Sequence, residues 1–202
     1  LPPAVQQQII TRNNAIISLL GSSISDCKRG DLENALQKFN ECRLLFEGAE
    51  KNETKDYYKT NPDYNEIKRC LEYLELTISL IKAWKNHLQN YSEVEMQQDY
   101  NSIPRKVGRG SIMKPVNIQK YLLLIINAFG KSKPIRQAIA ESAYEVHLDF
   151  MMQWKDKIKI KIEELTSSGE RDKLATANVL RSLLLEVDRE ILSDSYYLEI
   201  HR

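Results

Sequence analysis

Apolar residues recur at helical spacing through the second quarter of the chain, and this repeat constrains the fold more than any other feature. The repeat consists of Ile67, Leu71, Leu74, Ile78, Ile81 and Leu88. Spacings of three, four and seven residues place such side chains on one stripe of an α-helix. We therefore predict a helix of about thirty residues or more that ends near Asp99. At the rise of an α-helix it would span roughly 45 Å, which one short neighbour cannot cover.

Two shorter helices are predicted before it. Gly30 suits the end of the first helix, which follows Pro2 and Pro3, and Asp31 suits the N-cap of the second. We expect the first to bury Val5, Ile9, Ile16, Leu20 and Ile24. We expect the second to end near Gly48 and to bury Leu32, Ala35, Leu36, Phe39, Leu44, Leu45 and Phe46. Residues 51–62 are polar and predict a loop.

A basic segment divides the chain. Residues 103–115 contain two Pro, two Gly, four cations and no acid, so we predict an N-terminal bundle over 1–100, a linker over 101–116 and a C-terminal bundle over 117–202. The C-terminal bundle has a buried helix that ends at Gly130, a helix from Pro134 to about Ser167, and a helix from about Glu170 to Leu198. Alternating Lys and Ile over 155–162 looks like a strand, but the flanking helical period continues through it.

The buried stripes predicted for these last two helices complete the fold. The first comprises Ile135, Ile139, Val146, Phe150, Trp154, Ile158, Ile162 and Leu165. The second comprises Leu174, Ala177, Leu180, Leu184, Val187 and Ile191. The sequence thus predicts an all-α fold of about six helices, in two consecutive antiparallel helical bundles that form an elongated rod.

Charge and cysteine content exclude several classes of protein. The 29 basic and 28 acidic residues nearly cancel, so nothing global favours nucleic acid or a membrane. The three cysteines form no CxxC pair, which argues against a disulfide framework or a zinc knuckle and fits a reducing compartment. No stretch is long enough to cross a bilayer. The chain begins with Leu1 and not with Met, so we expect a segment of a longer protein. We expect that protein to be cytoplasmic and to work at the periphery of a target membrane.

The residues that could support chemistry are isolated. His147 lies near Glu145 and Asp149 in sequence, but residues two apart on a helix point away from each other, so a surface or core histidine is the favoured reading. Glu141, Glu145 and Asp149 are spaced like a solvated helix face. Trp84 and Trp154 could anchor a partner, yet both fall on or beside a core stripe. No catalytic motif is present. We predict no enzyme activity, no cofactor, no metal site and no small-molecule substrate.

The best local candidate for a contact site is the basic segment. Arg105, Lys106, Arg109 and Lys114 are the four cations in it. Each contributes about 1 kcal/mol near an anionic leaflet, so together they could contact a lipid surface or an acidic partner weakly. A solvated loop is the alternative. Aromatic residues do not alternate with these cations, nor with Lys155, Lys157, Lys159 and Lys161, which argues against nucleic acid.

The order of these elements resembles the helical-rod subunits of vesicle-tethering complexes, especially the exocyst. The string from Lys28 to Leu36, followed by Cys42 to Leu45 and a long third helix, is similar to their helix pairs, and the stretch from Tyr121 to Ser132 is similar to their step from a leucine-rich helix through Gly-Lys to the next helix. The resemblance implies coiled-coil-like stacked helices, a role in exocytosis and protein transport, and no transferable site residues. It implies other complex subunits, small GTPases or SNARE proteins as partners.

A second resemblance leads to a different function. Gly30, Asp31, Ala35 and Phe39 also match the second helix of tetratricopeptide or microtubule-interacting-and-trafficking hairpins. This alternative implies a peptide-binding adaptor that receives an amphipathic helix in a groove. No 34-residue period recurs after Pro62, which argues against a tetratricopeptide array. The lysine-rich stretch from Trp154 to Leu165 departs from the pattern of the tethering subunits, and a three-helix trafficking module leaves the second bundle unexplained.

Overall fold

The structure, a computed structural model, describes residues 2–52, 54–103 and 134–201. Within them the chain forms seven α-helices and no strand, which confirms the all-α prediction. The helices are α1 (Pro3–Lys28), α2 (Leu32–Lys51), α3 (Lys55–Thr60), α4 (Tyr64–Leu88), α5 (Glu93–Asn101), α6 (Pro134–Ser167) and α7 (Arg171–His201). The predicted helix over 117–130 and the predicted linker from residue 104 onward lie outside the described residues.

The chain divides into two compact units. The described part of the first unit comprises α1, α2, α3, α4 up to Lys82 and α6 up to Val146. The described part of the second comprises the end of α4 from Ala83, α5, α6 from His147, and α7. Each unit has its own apolar core, because each combines the buried stripes of several helices.

A glycine and an aspartate form the turn between α1 and α2, as predicted. Gly30 has φ +74°, a left-handed conformation that an L side chain rarely adopts. The Asp31 carboxylate then accepts a hydrogen bond from the Asn34 backbone N–H at 3.2 Å and caps α2. The Ser23 hydroxyl of α1 donates a hydrogen bond to the Ala35 carbonyl of α2 at 2.9 Å, which connects the two helices. The turn is therefore determined locally and then locked by a contact between helices.

Replacing the cap of α2 has a defined cost. We expect Asp31→Ala to lower the free energy of unfolding by about 1 kcal/mol, because the N-terminal N–H groups of the helix lose an acceptor. Urea denaturation followed by circular dichroism measures the change. Asp31→Ser keeps an acceptor and should stay within about 0.5 kcal/mol of the wild type; equal losses for both variants would contradict the role of the cap.

The buried face of α2 differs from the predicted one. Leu44 is 66% exposed and Leu45 is 38% exposed, whereas Cys42 and Ala49 are fully buried. The helix also continues through Gly48 to Lys51. The buried stripe is Ala35, Phe39, Cys42, Phe46 and Ala49, so small residues occupy core positions that size and hydrophobicity alone assigned to the leucines.

The predicted polar loop contains a short helix. In α3 the Tyr58 side chain is completely buried. Its ring makes an edge contact with Phe46 at 6.0 Å and another with Tyr64 at 5.5 Å, while Phe46 and Tyr64 stack at 5.4 Å. An aromatic cluster thus packs a polar stretch onto the first unit, and the polarity of the sequence concealed it.

The predicted long helix is broken. All six residues of the repeat are buried in α4, as expected, but α4 ends at Leu88 and α5 begins at Glu93. Asn90 has φ 54°, which a helix cannot continue through. Ser92 and Glu95 then form a capping box at the start of α5. This Ser-x-x-Glu signal was present in the sequence and contradicts one helix up to Asp99.

The last two helices lie where the sequence predicts them. α6 begins at Pro134 and passes without interruption through the lysine-rich stretch over 155–162, so the strand-like alternation is helical. Gly169 then ends the turn before α7 with φ +67°. The predicted buried stripe of α7 is partly wrong, because Leu174 is exposed. The residues that α7 buries are Ala177, Leu180, Leu183, Val187, Glu190, Asp194 and Leu198.

The three cysteines are buried in the first unit, and none forms a disulfide. Burial, with a smaller contribution from the neighbouring carboxylates of Asp26, Glu41 and Glu66, raises the pKa of each thiol from 9.0 to about 12. Between about pH 9 and pH 12 the thiols therefore stay protonated in the native state, whereas the unfolded chain releases these protons.

Stability should accordingly fall at alkaline pH. Since the folded pKa values lie above the unfolded ones, the free energy of unfolding decreases as pH rises through 9 and continues to fall toward 12. Urea denaturation at pH 8, 9 and 10 measures the slope. A variant with all three cysteines replaced by alanine should show a smaller slope; an unchanged slope would contradict this assignment.

Candidate functional site

The contact site predicted from sequence lies outside the described residues. It consists of Arg105, Lys106, Arg109 and Lys114. Trp84 and Trp154 are fully buried, which confirms the prediction that they belong to the core. His147 is also fully buried, as one of its two favoured readings required.

A hydrogen-bonded chain crosses the core of the second unit. The Trp84 indole Nε1–H lies 3.0 Å from His147 Nδ1, and His147 Nε2 lies 2.7 Å from Asp194 Oδ2. An indole N–H only donates, so Nδ1 accepts and the imidazole proton sits on Nε2, where it is donated to Asp194. The arrangement fixes a neutral histidine in one tautomer between α4, α6 and α7.

A second hydrogen-bonded group lies in the same unit. Trp154 Nε1–H donates to the Tyr91 hydroxyl at 2.8 Å, and that hydroxyl donates to Asp99 Oδ2 at 2.5 Å. His87 Nε2 lies 3.1 Å from the same carboxylate oxygen. Burial and the Asp99 charge raise the pKa of Tyr91 far above its ordinary value, so the hydroxyl remains a donor. The two groups together contain five aromatic or imidazole rings and two carboxylates. The rings belong to Trp84, His87, Tyr91, His147 and Trp154, and the carboxylates to Asp99 and Asp194.

Rings pack closely around these bonds. The Trp84 ring stacks on Phe150 at 6.1 Å and contacts Trp154 at 5.7 Å. Because His147 is inaccessible to solvent, it cannot meet a substrate in this conformation. What the arrangement does is satisfy the polar atoms of two large aromatic residues and orient them in the core.

Local spacing could not reveal this network, since Trp84 and His147 are 63 residues apart and His147 and Asp194 are 47 apart. One signal was available. Glu190 and Asp194 continue the buried stripe of Leu183 and Val187 at spacings of three and four. Polar residues at core positions of a helix indicate buried hydrogen-bond partners.

The outer side of α7 presents a row of exposed apolar side chains. We call it the α7 face, and it consists of Leu174 (38% exposed), Leu185 (55%), Leu192 (71%), Tyr196 (66%) and Ile200 (54%). At 3.6 residues per turn these positions fall within about 80° of one another and extend for roughly 39 Å along the helix. They lie opposite the buried stripe, so α7 is apolar on two sides.

A cavity of about 290 Å³ opens beside the middle of this face. Its lining comes from α5 and its C-terminal turn on one side and from α7 on the other. The lining residues are Tyr100, Asn101, Ile103, Ser182, Leu185 and Glu186. Leu185 therefore belongs both to the exposed row and to the rim of a concavity.

Neither metal binding nor membrane insertion finds support in the described residues. Over 2–52, 54–103 and 134–201, no three His, Cys, Asp or Glu side chains converge in a way that could hold a metal ion. No helix in this part of the chain has the length and hydropathy needed to span a bilayer.

The predicted row of carboxylates on α6 is only partly exposed. Asp149 is exposed, whereas Glu141 and Glu145 are half-buried. Glu145 Oε2 lies 3.9 Å from Lys28 Nζ.

Comparison of the chain with protein-family models, with curated proteins and with solved structures finds no match.

Proposed function

We propose that this chain is a non-enzymatic protein–protein interaction segment of a larger subunit in membrane trafficking, of the kind that builds vesicle-tethering complexes. The α7 face is the observation that supports the proposal best. Exposed apolar side chains that align on one side of a helix mark interaction surfaces in proteins, because water around them is released when a partner covers them. The resemblance of the sequence to exocyst-like rods supplies the trafficking context.

In this proposal the partners are other subunits of the complex, with small GTPases or SNARE proteins as further candidates, and the segment works in the cytoplasm at the face of a target membrane. Long helices serve such a role by holding apolar side chains in a fixed row. A helix of a partner can then meet several of them at once.

A peptide-binding adaptor is the second candidate, and the cavity beside Leu185 favours it. In that mode a short amphipathic helix of a client protein inserts one large side chain into the groove. The two candidates differ in what binds: a permanent complex subunit in the first, an exchangeable peptide segment in the second.

The test compares two variants of the tagged chain in cells of the source organism. Leu185→Ser/Leu192→Ser/Tyr196→Ser alters the α7 face, and Leu44→Ser/Leu45→Ser alters a matched pair of exposed residues on α2. We expect subunits of a tethering complex to co-purify with the wild type and the α2 variant and to be lost from the α7 variant. If the same proteins co-purify with the α7 variant as with the wild type, the α7 face has no role in binding them. If the proteins that co-purify are unrelated to trafficking, the proposed function is wrong.

A further inference from the structure

We propose that the occupant of the α7 face is an acidic amphipathic helix of another protein, which inserts a large apolar side chain into the cavity beside Leu185. This inference rests on the proposed interaction function and specifies the chemistry of the partner. Three observations support it: the apolar row, the charges that lie along it, and the cavity.

The charges along the face are mainly basic. Arg171, Arg181 and Arg189 are exposed and lie within about 60° of Leu185 around the helix. Two acids of α7 lie within the same arc: Glu199, near the C-terminal end, and Asp188, at the edge of the arc, which is paired with Lys155 at 2.7 Å. A partner helix that places carboxylates opposite these arginines gains attraction, whereas a basic helix meets repulsion.

Both central arginines retain donors for a partner. Arg181 Nη1 donates to Asn178 Oδ1 at 2.6 Å, and Arg189 Nη1 donates to Glu186 Oε1 at 2.8 Å. Each bond uses one of the five N–H donors of a guanidinium. Since the two arginines are eight residues apart, they lie roughly 12 Å apart along the axis, which matches carboxylates seven or eight residues apart on a facing helix.

The cavity argues for a protein rather than a flat anionic surface. It is concave, its rim includes Leu185, and Tyr100 and Ile103 provide apolar walls. A leucine or aromatic side chain fits such a concavity, and buried anchors of this type dominate the binding energy of helical interfaces.

A second copy of this chain is a poorer occupant. In a symmetric antiparallel pair of α7 faces the twofold axis would pass near residue 187, the midpoint of Leu174 and Ile200. The two Arg189 side chains would then lie close together across the axis. Like charges at the centre of an interface oppose association, so the charge pattern favours a different, acidic chain.

The experiment measures peptide binding to the full 202-residue chain by fluorescence anisotropy. The probe is a synthetic amphipathic peptide of about three heptads, with leucines on one stripe, a central tryptophan on it and glutamates beside it at heptad spacing. A second peptide carries lysine in place of every glutamate. We expect the acidic peptide to bind roughly tenfold more tightly or better, and this difference to shrink at high salt.

A charge exchange provides the sharpest control. In Arg181→Glu/Arg189→Glu we expect the affinity for the acidic peptide to fall roughly tenfold and the affinity for the lysine peptide to rise. Arg43→Glu on α2 should change neither affinity. Circular dichroism verifies that each variant is folded. Equal affinity for the two peptides overturns the proposal. The proposal is also overturned if the chain self-associates through the α7 face, so that no peptide binds there. It is likewise overturned if anionic liposomes, and not the acidic peptide, bind to this face.

The two proposals fail separately. If tethering subunits co-purify through the α7 face but the acidic peptide does not bind, the partner chemistry is wrong and the proposed function stands. If the acidic peptide binds through the face and no trafficking protein co-purifies, the recognition mode stands and the trafficking function is wrong.

Discussion

His147→Leu should lower the free energy of unfolding by about 3–5 kcal/mol, the largest loss expected from a single substitution among the polar residues that the structure describes. Leucine fills a similar volume but neither accepts from Trp84 nor donates to Asp194. An indole N–H and a carboxylate oxygen, both in the core, therefore lose this partner together. Domains are typically stable by about 5–15 kcal/mol, so the variant would approach the limit of folding.

Urea denaturation followed by circular dichroism measures the loss, and the fluorescence of the tryptophans reports the packing around Trp84. The control is His147→Leu/Asp194→Leu, which removes the carboxylate as well. Replacing both partners by apolar groups avoids part of the desolvation penalty, so the double variant should recover about 1–2 kcal/mol relative to the single one. A single variant within about 1 kcal/mol of wild type would show that the network does not support the core.

Loss of both cations around Asp26 should have an effect of similar size in the first unit. The Asp26 side chain is 1% exposed, and it pairs with Arg29 and, at 2.6 Å, with Lys38. Arg29→Met/Lys38→Met leaves the carboxylate buried without these two partners. We expect the free energy of unfolding to fall by about 3–5 kcal/mol, because water cannot replace the lost partners.

The reverse substitution should cost less. In Asp26→Asn the cations lose their carboxylate, but Arg29 is 65% exposed and Lys38 is 30% exposed, so water solvates both. Denaturation of the three proteins under one set of conditions gives the order of stability, which we expect to be wild type, then Asp26→Asn, then the double methionine variant. A double methionine variant more stable than Asp26→Asn would contradict the view that the buried charge is the costly partner.

Several helix termini were predicted correctly from local signals in the sequence. Gly30 and Asp31 define one turn, Pro134 begins α6 and Gly169 precedes α7, all as predicted. The break after Leu88 was not predicted, because the apolar repeat continues the helical period up to that residue and the signal for the break, the capping box of Ser92 and Glu95, lies beyond it. The repeat is a property of side-chain burial, whereas the break is a property of the backbone at Asn90, and the first does not determine the second.

Burial was harder to predict for residues on amphipathic helices with apolar side chains on more than one side. Leu44 and Leu174 are good core residues by type, yet both are exposed because the neighbouring helices contact a different side of α2 and α7. The candidate site depends on the same ambiguity. The α7 face consists of residues whose apolar character is plain in the sequence, but only their exposure makes them a surface.

The sequence by itself determined the all-α class, the buried repeat of α4 and most helix boundaries, because periodicity and caps act within a few residues. Only the tertiary structure decided which stripe of α7 faces the core, that Trp84, His147 and Asp194 share one chain of hydrogen bonds, and that a cavity opens beside Leu185. These features join residues that are distant in sequence. Their positions depend on how whole helices pack, and no local pattern specifies that packing.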